Sequence, residues 1–88
     1  MVRYLRRDRV LWRHSSDAVV LLAPSGGQVF TLEGSGVDLW QLLSEPIALE
    51  EAADALAEAY GTTAAQVAAD IGPVLDELAR REVLEVRE

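Results

Sequence analysis

Residues 26–43 read GGQVFTLEGSGVDLWQLL, and a change of period inside this stretch decides the fold. Its first half alternates like a half-buried strand: across Gln28, Val29, Phe30, Thr31 and Leu32, Phe30 and Leu32 share the face expected to meet a core, and Val29 and Thr31 share the other. Beyond Leu32 the spacing becomes helical. Val37, Leu39, Trp40 and Leu43 form one inner face, and Ser35 is positioned to cap the helix that carries them. A strand that leads directly into the helical part of a small protein is expected at a sheet edge, where its backbone can pair with another chain.

Upstream, residues 18–22 (AVVLL) are apolar on both faces and suit a covered central strand, and residues 10–13, with Trp12, suit a second strand. Ser15, Ser16 and Asp17 form a turn by composition. Pro24, Ser25, Gly26 and Gly27 are expected to supply the positive φ of the next hairpin connection. Residues 1–9 lack a clean period and are expected to form a flexible basic arm. Downstream, Pro46 ends the first helix. A second helix is expected over residues 49–60, with Ala52, Ala53, Leu56 and Tyr60 as its buried stripe and Gly61 as its stop. Thr63 and Gln66 have capping-box spacing and open a third helix, whose stripe is Val67, Ile71, Val74, Leu75 and Leu78 and which is expected to kink at Pro73. Val83, Leu84 and Val86 return as a short strand or pack as a tail. The expected fold class is α+β: one domain with a small three-stranded antiparallel sheet followed by three helices, resembling a winged helix-turn-helix.

Composition narrows the function classes. Eighty-eight residues, half of them apolar, suffice for one modest core. The absence of cysteine rules out a disulfide framework and a thiolate zinc site and fits a cytoplasmic setting. The longest apolar run, residues 18–24, is far too short to span a membrane, so no membrane partner is expected. The net charge is −7, yet Arg3, Arg6, Arg7, Arg9 and Arg13 face only Asp8 in the first fourteen residues. The remainder is strongly acidic and biased toward basic ligands.

The side chains do not assemble a reaction. His14 is the only histidine and lies in a strand-to-turn region, so a solvated surface role outweighs metal ligation, which requires several ligands together. The serines occupy turn and cap contexts. Gly34-Ser35-Gly36 lacks the lysine and the strand-helix-strand setting of a phosphate loop. No catalytic residue, metal or cofactor is expected. A winged helix can bind DNA, but the third helix carries Asp70, Asp76 and Glu77 and no cation before Arg80, which is poor chemistry for phosphate. A nucleic-acid-binding regulator is therefore the alternative from a different class, and no nucleic acid is the expectation.

One set of residues carries a family resemblance. Pro24-Ser25-Gly26-Gly27, Thr31-Leu32, residues 39–43 (LWQLL), Ile47 with residues 49–52 (LEEA), Tyr60, Val67 with Asp70-Ile71, Val74-Leu75, Leu78 and Val83-Leu84 together resemble the PqqD-like family. That family supplies RiPP recognition elements, small modules that bind the leaders of ribosomally made, post-translationally modified peptides. The resemblance spans residues 10–86, with departures at Glu33, where the family commonly has asparagine, and Pro46, where a glycine often ends the helix. A module of this length is most similar to the leader-binding half of split lasso-peptide B proteins. That implies a non-catalytic adaptor that binds a precursor leader peptide and presents it to a transglutaminase-like leader peptidase, with the pathway's cyclase as a further partner. A module that delivers its peptide to a radical enzyme in pyrroloquinoline quinone assembly is the alternative within the family.

The resemblance further implies that the leader binds as an added antiparallel strand on the strand of residues 28–32, against the third helix. Its expected contacts are Gln28, Val29, Phe30, Thr31 and Leu32 on the strand, and Val67, Asp70, Ile71, Val74, Leu75 and Glu77 on the helix. Asp70 and Glu77 would favour a leader carrying lysine or arginine. Either the backbones of Gln28, Phe30 and Leu32 or those of Val29 and Thr31 face the leader, and the sequence leaves both open.

Overall fold

A computed structural model describes residues 1–23 and 28–88; the turn expected at residues 24–27 lies outside the described residues. The chain runs β1 (Arg3–Arg6), β2 (Leu11–Ser15), β3 (Ala18–Leu22), β4 (Val29–Glu33), α1 (Ser35–Leu42), α2 (Leu49–Tyr60), α3 (Ala64–Arg80) and β5 (Leu84–Arg87). The fold is α+β. One antiparallel sheet has the order β2-β3-β4, and a second pairs β1 with β5.

The three-stranded sheet follows the alternation expected of β4, but β3 is not covered on both faces as expected, because Val20 is exposed on the face away from the helices. Val19 and Leu21 are buried, and their cross-strand partners on β4 are Leu32 and Phe30, which pack against the core. Val29 and Thr31 point the other way and are exposed. Between β4 and α1, Gly34 takes φ 58°, a left-handed conformation that suits glycine. Gly34 itself, rather than Ser35, is the N-cap of α1, and no side chain caps that end. Gly36 sits where a Cβ would lie 3.3 Å from the Leu32 Cβ, so a side chain there would push the helix and strand apart by a few tenths of an ångström. Leu39, Trp40 and Leu43 are buried as expected, with Trp40 the largest fully buried side chain.

Helices α2 and α3 begin and end near the expected residues. The Glu51 side chain accepts from the Ala48 amide (2.9 Å), Gly61 closes α2 in the left-handed region, and Thr63 Oγ1 accepts from the Gln66 amide (3.2 Å). Ala52 and Ala53 let α2 lie close to its neighbours in the core, while α3 runs through Pro73 as one helix. Tyr60 departs from the expectation of a buried stripe: it is 47% exposed, and its hydroxyl donates to the Asp38 carboxylate, which ties α2 to α1.

The largest departure is at the N-terminus, which is a structured strand rather than an arm. β1 pairs with β5 along its length, from Arg3 opposite Arg87 to Arg6 opposite Leu84. On its other side Tyr4 exchanges hydrogen bonds with Ile47 (2.8 and 3.0 Å), and the Arg6 amide donates to the Leu43 carbonyl (2.9 Å). The Arg6 guanidinium lies 4.8 Å from the Trp12 ring centre and 5.3 Å from that of Trp40, and the two indoles meet edge to face at 5.9 Å. Burial lowers the Arg6 pKa from its ordinary value, while the ring faces provide favourable contacts for the cation.

Trp40→Ala should cost about 3–5 kcal/mol of stability in urea unfolding; a cost below about 1 kcal/mol would contradict the central position of the indole. The bond to Asp38 first, then burial and the charge of Asp38, push the Tyr60 phenol up from 10.0 to about 12. Because the folded value is the raised one, the contribution of this tie is complete below the unfolded value and is lost as pH rises through about 12. An ultraviolet titration of tyrosinate should show that group in the native protein and lose it in Tyr60→Phe.

A candidate peptide-binding groove

β4 is an edge of its sheet, and the pairing defines which of its backbone groups are free. The two-residue turn at Ser16 and Asp17, with Ser16 at φ 46°, makes Ser15 and Ala18 a hydrogen-bonded pair. Antiparallel pairing alternates, so the backbones of Ala18, Val20 and Leu22 point toward β2, while those of Val19 and Leu21 point toward Leu32 and Phe30 of β4. The amides and carbonyls of Val29, Thr31 and Glu33 therefore point outward from the sheet. Of the two sets named from the sequence, the one with outward backbone groups is that of Val29 and Thr31. The opposite edge, β2, is blunted by the exposed polar residues Arg13, His14 and Ser15.

Beside the β4 edge runs a groove of about 350 Å³, walled by Phe30, Thr31 and Leu32 on one side and by Pro73, Val74 and Glu77 on the other, with Leu78 and Arg81 also lining it. Phe30, Thr31 and Leu32 of the strand and Val74 and Glu77 of the helix, all among the expected contacts, line it. Val67, Ile71 and Leu75 do not: they are buried in the core cluster one helical face away. Asp70 is exposed and lies one turn before Val74 on the groove side of α3, outside the lining itself. Gln28 is exposed and lies just before β4, which begins one residue later than expected.

Arg81 is the residue that sequence reasoning missed. Its Nε donates to Glu77 Oε2 (2.8 Å), its Nη1 donates to Gln28 Oε1 (3.0 Å), and its guanidinium lies 4.9 Å from the Phe30 ring centre. These contacts link the end of α3 to the beginning of β4 and close one end of the groove. Arg80 Nη2 takes the other oxygen of Glu77 (2.9 Å), so the carboxylate expected to attract a basic leader is already shared by two arginines. The available signal was spacing: Arg81 follows Glu77 by four, as Val74 follows Asp70. Among the described residues no group of three or more His, Cys, Asp or Glu side chains could hold a metal ion, and no helix is long and apolar enough to cross a membrane.

Comparison with known proteins extends this geometry. The family described as Coenzyme PQQ synthesis protein D (PqqD) matches residues 18–84, which include β3, β4, all three helices and both walls of the groove. No curated protein matches the sequence. Among solved structures, TbiB1 in complex with the TbiA(beta) leader peptide superposes with a TM-score of 0.81 at 36% identity, over 92% of this chain and 94% of that one. The solution structure of the PqqD truncation of Methylobacterium extorquens PqqCD, a functional and stand-alone RiPP recognition element, superposes at 0.77 and 29% identity, over 94% of this chain and 88% of that one. On the family match and these two likenesses together, the chain belongs to the PqqD family, as a PqqD-like RiPP recognition element.

Proposed function

We propose that this chain is a non-catalytic adaptor that binds the leader of a ribosomally made precursor peptide as an added antiparallel strand on β4. The observation that carries this reading is the outward-pointing backbone of Val29, Thr31 and Glu33 beside an apolar groove. An extended, disordered peptide can hydrogen-bond to that edge and gain a sheet partner. Backbone pairing is tolerant of sequence, so selectivity comes from side chains of the leader that enter the groove. In a strand these are alternate residues. One apolar side chain that fills the space between Phe30, Leu32 and Val74 contributes about 1.5–3 kcal/mol. The likeness to TbiB1, whose structure contains a leader peptide, supports the same reading.

The leader so held is presented to a separate leader peptidase of transglutaminase-like type in lasso-peptide assembly, with the cyclase as a further partner in the reducing cytoplasm. The higher identity to TbiB1 than to the PqqD truncation favours this over delivery to a radical enzyme. The exposed Asp70 and Asp76 on α3 weigh against a phosphate backbone as the occupant.

Single prolines along β4 test the pairing. Thr31→Pro removes an outward amide and leaves the β3–β4 ladder intact, since an edge strand tolerates proline whose nitrogen faces solvent. The variant should fold, and its affinity for a fluorescent leader of the cognate precursor should fall by about tenfold or more. Phe30→Pro removes an amide that the ladder uses and should destabilise the domain. Normal leader binding by folded Thr31→Pro would show that the leader does not pair with this edge.

A further inference from the structure

The groove is not electrically uniform along its length. β4 and α3 run in opposite directions along the groove, because Gln28 and Phe30, just before and at the start of β4, meet Arg81 at the end of α3, and from there the two walls extend together, forward to Leu32 and back to Pro73. At that end Arg80 and Arg81 share the carboxylate of Glu77, an ion-paired cluster with one positive charge in excess, while the exposed Glu82 beyond it joins none of the ion pairs among the described residues. Toward the other end the groove side of α3 carries Asp70, exposed and without an ion pair among the described residues. Asp70, Val74, Glu77 and Arg81 lie on one stripe of the helix. Asp70 and Arg81 are thus separated by about 16 Å along the helix axis.

We propose that this polarity selects and orients the leader, an inference that rests on the strand-addition reading above. A strand antiparallel to β4 runs parallel to α3, so its N-terminal part passes Asp70 and its C-terminal part passes Arg81. At about 3.3 Å per residue, a strand covers that distance in four to six residues. Side chains that leave it toward the helix lie an even number of positions apart. The preferred peptide therefore has a lysine or arginine, then an aspartate or glutamate four or six positions later, with apolar residues at the even positions between them. A peptide bound in the reverse direction, or in a register slipped by one residue, loses both charge pairings. The apolar groove alone does not discriminate in this way, because Phe30, Leu32 and Val74 would accept similar side chains from either direction.

Selection of a randomised displayed peptide library on the intact chain tests this. The native protein should enrich the basic-before-acidic order at even separation around apolar residues. The double variant Asp70→Lys, Arg81→Glu should enrich the opposite order, and Asp70→Lys alone, at an exposed helix position, should lose only the preference for the basic residue. An enriched peptide should bind the native chain about tenfold more tightly than its charge-swapped twin at low salt, with the gap narrowing as salt is added. Enriched peptides that keep alternating apolar residues but show no charge order would overturn the polarity and leave the groove standing. Failure to enrich alternating apolar peptides, or enrichment of peptides that bind folded Thr31→Pro equally well, would overturn the groove reading and the polarity together.

Discussion

An edge strand must satisfy its outward backbone groups with water or with another chain, and in this protein the outward groups of β4 have an apolar groove beside them. Water can hydrogen-bond Val29, Thr31 and Glu33, but it gains nothing from the surfaces of Phe30, Leu32 and Val74. A peptide strand can meet both demands at once. Much of the remaining architecture holds this edge in place: Val19 and Leu21 of β3 are buried behind it, Gly36 lets α1 press on Leu32, and Arg81 spans from α3 to Gln28. In the proposed binding mode backbone and side chains take separate roles, with the strand supplying general affinity and the helix supplying choice.

The support for that edge is anchored far from the groove. Trp40 fills the centre of the core and meets Trp12 of β2, while Arg6 of β1 covers both rings. The basic N-terminal segment, which looks like a solubilising arm, thus closes the bottom of the domain through β5 and Ile47. A guanidinium suits this place because it can stack on aromatic faces while carrying its charge.

Period and punctuation made most of the fold legible. Residues 28–32 announce β4 by alternation, and α2 begins and ends where its acidic first turn and Gly61 indicate. β1 was hidden because four residues, RYLR, show no usable period and their partners lie at the opposite end of the chain. On α3 two stripes compete. Val67, Ile71, Leu75 and Leu78 form the core stripe, and Asp70, Val74, Glu77 and Arg81 form the groove stripe, with Val74 at the border where one reading passes into the other. Apolar spacing identifies the first stripe and is silent about the second. Arg81 in particular reads from sequence as a cation at a helix end, and only the folded chain brings it to Gln28 and Phe30.

The central claim is that a leader pairs with alternate backbone groups of β4, and residue-resolved amide hydrogen exchange with and without leader addresses it most directly. The account predicts new protection at the amides of Val29, Thr31 and Glu33, with little change at Phe30 and Leu32, whose amides already bond within the sheet. Unchanged exchange along β4 in the saturated complex, with protection arising elsewhere on the surface, would contradict it.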